Sequence, residues 1–222
     1  MKRTCRAPGC DAEVSSRYSP YCRNHRARLR RHGAVEQQGI TSADLKPYLA
    51  RVRARIEKNP ESAAWGQLDR RWLAVVDHAR SVIAYFESGK AGQRYERKAA
   101  HEVIKITDAT TPRDVVETVL AMFMMQELEP RRFRTDAAFR FQLVRRVRAL
   151  ADMSAGQYYD HKTNKVRRVY RELSPRAMAV IGQWLAEALG VAGVHLARLE
   201  QRDEERQRNE RLELHKALEE LE

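Results

Sequence analysis

Apolar residues recur at spacings of three and four along most of this 222-residue chain, and that period predicts a mainly helical protein. Ser42 is a candidate N-cap for a helix from Ala43 to about Lys58, which Asn59-Pro60 ends. Trp65, Leu68, Trp72, Val75, Val76, Ala79, Val82, Ile83 and Phe86 form the next stripe, through about Glu87. The two tryptophans lie two turns apart on it and read as core. After the turn Gly89-Lys90-Ala91-Gly92, a helix from Tyr95 to Ile106 has Ala99, Ala100, Val103 and Ile104 on its inner face. Thr111-Pro112-Arg113-Asp114 joins a hydroxyl cap, a proline at the first helical position and an acid near the positive dipole end. The helix it opens, Pro112 to about Glu127, is apolar nearly all round and is the expected centre of the core. Thr135 caps another, Asp136 to about Asp152, with Phe139, Leu143, Val147 and Leu150 as its inner stripe.

Residues 157–171 mix aromatic, β-branched and charged side chains around the turn-prone Thr163-Asn164-Lys165, which predicts a β-hairpin. Its tyrosines either stack on a ligand or anchor the hairpin to the helices. Ser174-Pro175 opens a further helix, with Gly190 as its expected stop. Residues 194–222 read as a separate charged helix, because Arg198 to Glu222 holds nine acids and six bases. The leucines at its end, including Leu212, Leu214, Leu218 and Leu221, are a short seam able to form a homodimer. The expected organisation is a module over 1–33, a flexible linker over 34–41, a helical domain over 42–193 and the charged helix over 194–222. The longest apolar run, Val115 to Met125, is interrupted by Glu117, so no membrane segment is expected. No apolar h-region follows Lys2 and Arg3, which makes a cytoplasmic location the expectation.

Charge sharpens this picture. The net charge is +12, concentrated in two segments. Residues 1–33 carry nine basic side chains against Asp11 and Glu13, and residues 131–171 carry twelve against Asp136, Asp152 and Asp160. A single charged run is usually a solvated face. Two arginine-rich segments in one chain are the electrostatic footprint of a polyanion binder.

The only three cysteines stand in the first 22 residues, and with one histidine they read Cys5-x4-Cys10-x11-Cys22-x2-His25. Three thiolates and an imidazole make a complete tetrahedral donor set for Zn2+. An odd count of cysteines without a leader argues against disulfides. Pro8-Gly9 lets the chain turn back between the first two thiols, and Cys22 and His25 share one face of a helix that Gly33 stops. His32 is the rival fourth ligand, too far along the helix for a compact site. Four protein ligands leave no open position, so the metal is structural. The run from Cys5 through Tyr21-Cys22-Arg23-Asn24-His25 to Arg30-Arg31-His32-Gly33 resembles a treble-clef zinc finger. Such modules occur in phage and mobile-element proteins, often beside HNH nuclease domains; the resemblance covers residues 1–33 alone.

Function follows from what the finger and the second basic segment present. Arg23, Arg26, Arg28, Arg30 and Arg31 are the candidate nucleic-acid contacts of the module. Arg131, Arg132, Arg134, Arg140, Arg145, Arg148, Lys162, Lys165, Arg167 and Arg168 are those of the domain. Arginine's planar fork suits phosphates and guanine edges. Of a nuclease only Asp160-His161 and Asn164 have a counterpart, and no phosphate-cradling glycine loop or convergent acid–base set accompanies them. The expectation is a non-enzymatic, zinc-stabilised protein that binds double-stranded DNA, a transcriptional regulator or accessory factor of a phage or mobile element as the resemblance implies. The alternative is a zinc-containing adaptor or inhibitor that binds an acidic protein surface. Both basic segments on one side of the molecule would favour DNA.

Overall fold

The computed structural model describes residues 3–151, 154–170 and 172–219; the side chains of 154–156, 167–170, 217 and 218 lie outside that description. Seven α-helices and one two-stranded hairpin make up the described chain. They are α1 (Arg23–His32), α2 (Ser42–Lys58), α3 (Ala63–Glu87), α4 (Arg94–Ala109), α5 (Pro112–Leu128), α6 (Asp136–Arg148), β1 (Ser154–Asp160), β2 (Lys165–Tyr170) and α7 (Pro175–Glu219). The expected mainly helical architecture with a cysteine–histidine cluster at the N-terminus is what the chain adopts.

Local chemistry sets the helix ends. Thr41 and Thr111 each close a capping box with the aspartate three residues on, Asp44 and Asp114. The first helix of the body thus starts from Thr41 rather than Ser42, because the reciprocal bonds to Asp44 fix the cap one residue earlier. Thr135 caps α6 by accepting from the Ala138 N–H.

Helix α5 is the axis of the bundle, buried without interruption from Val115 to Met125 and surrounded by α2, α3, α6 and α7. Even Glu117 is buried in this run, and Arg53 on α2 pairs with it at 2.8 Å. Trp65 and Trp72 of α3 are both core residues. Their helix packs on α4, whose inner face is Ala99, Ala100, Val103 and Ile106.

Helix α7 departs most from the sequence expectation. Gly190 does not end it: the helix runs on to Glu219, and no boundary falls near 194. The glycines permit close approach instead. A β-carbon at Gly193 would sit 2.5 Å from Phe123 Cβ, one at Gly190 3.0 Å from the tip of the same ring, and one at Gly182 2.9 Å from Arg140 Cβ. A helix-interior glycine costs about 1 kcal/mol against alanine, a cost offset here by bringing α7 against α5. Gly193→Ala is therefore expected to lower stability by about 1–3 kcal/mol through overpacking, despite its better helix propensity. A urea midpoint at or above wild type would show that the helices can separate without cost.

The charged part of α7 is fastened to α2. Arg55 binds Glu200 and Asp203 at 2.5 and 2.7 Å, and Arg51 binds Glu204 at 2.6 Å. From Glu204 to Lys216 the residues are exposed, with Leu212 and Leu214 in solvent; the side chain of Leu218, and Leu221 as a whole, lie outside the described residues. By length and composition α7 is apolar enough to cross a membrane, where the sequence expectation had no such segment. Its Ala177, Met178, Ile181, Leu185, Leu189, Leu196 and Ala197 are buried in the bundle core.

Candidate metal centre and basic face

Cys5, Cys10, Cys22 and His25 converge, with their donor atoms all within 4.8 Å of one another. The backbone around the first pair folds as the Pro-Gly turn requires. Gly9 has φ +67°, and the Cys10 N–H donates to the Ala7 carbonyl. Thr4 and Glu13 form an antiparallel bridge, with Cys5 N–H donating to Ala12 and Val14 N–H to Arg3. Cys22 is the N-cap of α1, so it and His25 sit on the helix's opening turn. His25 Nδ1 lies 3.3 Å from Cys22 Sγ and 3.5 Å from Cys5 Sγ. Metal–ligand bonds of about 2.0–2.3 Å around one tetrahedral ion put neighbouring donors roughly 3.5 Å apart. The set therefore fits a metal ion such as zinc.

Electrostatics favour the same occupant. Burial pushes the Cys5 thiol up, but N–H groups of Cys22 and Ala7, and then His25 and Cys10, outweigh it and hold its pKa at about 6. Its ligating thiolate form thus prevails at neutral pH. At Cys10 the Ala12 N–H favours the thiolate, yet burial and the neighbouring Cys5 and Cys22 raise the pKa. Several sulfurs around one point cannot all be anionic without a cation between them. All three cysteines are free thiols.

His32 takes no part in the cluster. Its Nδ1 lies 3.1 Å from Gln142 Nε2 on α6, and burial together with the charges of Arg145, Arg31 and Arg28 lowers its pKa, which keeps the ring neutral. Gly33 ends α1 in the left-handed region at φ +83°, where its N–H donates to Leu29. At this point the helix rests on α6: a β-carbon at Gly33 would meet Ala138 Cα at 3.0 Å and the Phe141 ring at 3.1 Å.

The connection over 34–41 is pinned to the body rather than free. Gln37, 1% exposed, donates from Nε2 to the Gln38 and Arg132 carbonyls and accepts the Arg134 N–H on Oε1. Ile40 is buried, and its N–H donates to Oε1 of Gln142. Gln142 itself has no exposed surface and joins the end of α1, the connection and α6 in one hydrogen-bonded knot. A segment of polar composition looked like a tether; two glutamines give its backbone buried partners, which a tether lacks. Gln142 left a trace in the sequence as a polar residue within the apolar run Phe141 to Val144, whereas Gln37 left none.

This docking decides where the arginines fall. Arg23, Arg26, Arg28, Arg30 and Arg31 are all exposed, since α1 buries no residue. Arg31 binds Glu172, just past β2, at 2.8 Å. Arg131, Arg134 and Arg140 are exposed, while Arg132 pairs with Asp44 at 3.0 Å. On α6 the buried face is wider than the expected stripe, because both α7 and α1 cover it. Arg145 and Arg146 are consequently half-buried, and burial lowers the pKa of each. Arg148 turns inward to the buried Glu102 at 2.5 Å and leaves the surface set.

The hairpin forms as the turn-prone Thr163-Asn164-Lys165 and its flanks predict, with Tyr158 opposite Arg167, Tyr159 opposite Val166 and Asp160 opposite Lys165. Lys162 and Lys165 are exposed, and the side chains of Arg167 and Arg168 lie outside the described residues. Tyr158 and Tyr159 are about half exposed, so neither is sunk among the helices. The nuclease-like fragment serves the turn. Asp160 accepts from the Lys162 N–H and the Thr163 hydroxyl, and His161 packs edge-on against Tyr159. Compared with protein-family models, curated proteins and solved structures, the chain matches none, and the assignment of function rests on the geometry of its own residues.

Proposed function

We propose that this chain is a zinc-stabilised, double-stranded DNA-binding protein in which a treble-clef-like finger and a helical body offer one continuous basic face, acting as a regulator or accessory factor rather than an enzyme. The observation that carries the reading is the docking of α1 on α6, where Gly33 rests on Ala138, which sets Arg28 and Arg31 of the finger and Arg145 of α6 around His32. Two like-charged segments held together in a folded protein repel each other, and a polyanion bound across both relieves that repulsion. The turn before Cys10 and the bridge between Thr4 and Glu13 support the treble-clef reading of the finger, and a closed Cys3His set supports structural zinc. The exposed Tyr158 and Tyr159 add surfaces that can pack on sugar or base.

Titration of a random-sequence duplex at increasing salt tests this. Affinity is expected to fall linearly on a log–log plot with a slope of about −0.9 per phosphate contact. Arg26→Gln with Arg30→Gln is expected to flatten that slope by about two units without changing sequence preference. Absence of duplex binding at low salt, with salt-sensitive binding to an acidic polypeptide, would instead identify an adaptor.

A further inference from the structure

The hairpin stands in solvent on both of its faces. Its side chains over 157–166 are all exposed except Asp160, which is half-buried. The register puts Tyr158, Asp160 and Lys165 on one face and Gln157, Tyr159 and Val166 on the other. Tyr158 on the first face is 51% exposed, and Tyr159 and Val166, directly opposed on the second, are 49% and 62% exposed. A two-stranded ribbon open on both faces gains little from burial. This one is braced at its turn instead. Asp160 accepts the Lys162 N–H at 3.1 Å and the Thr163 hydroxyl at 2.9 Å, Asn164 takes a left-handed φ of 49°, and the Tyr159 hydroxyl reaches Asn164 Oδ1 at 3.4 Å.

Charge and position say what such an arm meets. Over 157–168 the sequence carries Lys162, Lys165, Arg167 and Arg168 against Asp160, four minus one, or +3. Just past β2, Glu172 is tied to Arg31 at 2.8 Å, so the base of the arm lies beside the arginine-rich α1. A ribbon with side chains on both faces is about 10 Å thick, which the major groove at about 12 Å admits and the minor groove at about 6 Å does not. The major groove also displays what the second face is able to recognise. The Gln157 amide suits an adenine edge, and the opposed Tyr159 and Val166 offer apolar surface to thymine methyls.

We infer, on the duplex-binding reading above, that the hairpin is a sequence-reading arm that enters the major groove with Gln157, Tyr159 and Val166 toward A·T base edges. The arginines of α1 then set affinity through phosphates, and the arm sets preference.

Duplexes selected by the wild-type protein from a random pool test this. The selected sites are expected to contain A·T pairs, and replacing their thymines by uracil removes only the 5-methyl groups that line the major groove. Wild type is expected to bind the uracil duplex about fourfold more weakly for each methyl it covers. Gln157→Ala with Val166→Ala leaves the bonds of the turn in place. That variant is expected to bind thymine and uracil duplexes alike, with the salt slope of wild type. Wild type that selects no sequence, or binds both duplexes equally, overturns the inference while duplex binding stands. So does a variant that still tells thymine from uracil, or one whose salt slope falls together with its preference, which would make the arm a phosphate contact. Wild type that binds no duplex at low salt ends both readings.

Discussion

Cys22→Ser is expected to abolish stoichiometric zinc and, with it, nearly all duplex affinity, while leaving most of the helical signal intact. Structural zinc contributes about 10–16 kcal/mol to the folding of comparable small modules, far more than a segment of about 30 residues can gain from its own core. The apolar cluster of this finger is no more than Cys5, Ala7 and Cys22, with Cys10, Tyr21 and Val35 around it. Without the metal only the end of α1 stays held, where His32 and Gly33 meet α6; its opening turn, which buries no side chain, loses its anchor, and the arginines along it lose their fixed place. Helices α2 to α7 keep an independent core, so far-UV circular dichroism falls only modestly. Metal analysis, circular dichroism and duplex binding measured together check this. Protein purified without stoichiometric metal, or a Cys22→Ser variant that binds DNA as wild type does, would remove the finger from the function.

Gln142→Leu is expected to cost about 2–4 kcal/mol and to uncouple finger from body. Leucine fits the volume but strands the buried Ile40 N–H and takes away the partner of the part-buried His32 Nδ1. Each buried group left without a partner costs about 1–3 kcal/mol. The loss is larger than a helix-surface change would give, and at this chain length about 2–4 °C of melting temperature accompanies each kcal/mol. Duplex affinity is expected to fall as well, because the two basic segments then have to be held together at binding. A melting curve that matches wild type would mean that the three-way knot is idle. A loss of stability with unchanged affinity would mean that the finger acts as a tethered domain after all.

The helical fold was legible because its signals are local: period, proline and glycine punctuation, and threonine caps followed by aspartate. The metal cluster was legible for a related reason, since a full donor set within 25 residues needs no tertiary knowledge. What escaped the sequence is contact between segments a hundred residues apart. Nothing in Gly190 distinguishes a glycine that stops a helix from one that admits Phe123, because the difference lies on α5. Nothing in Gln37 distinguishes a solvated linker residue from one that binds the backbone of Arg132 and Arg134. Arg148 looked like its exposed neighbours until Glu102, on another helix, claimed it.

The order in which these elements leave the ribosome adds a consequence. Helix α5 finds its largest partner in α7, whose buried positions extend to Ala197, so the side of its Val115–Met125 run that α2 and α3 do not cover stays open for some seventy residues of further synthesis. At about 5–20 residues per second that interval lasts several seconds. The finger, made first, must likewise wait for α6 before Gly33 and Gln37 find their seats. Nascent chains of this protein therefore carry one side of a methionine-rich apolar helix in the open for longer than a chain whose neighbours in space are neighbours in sequence.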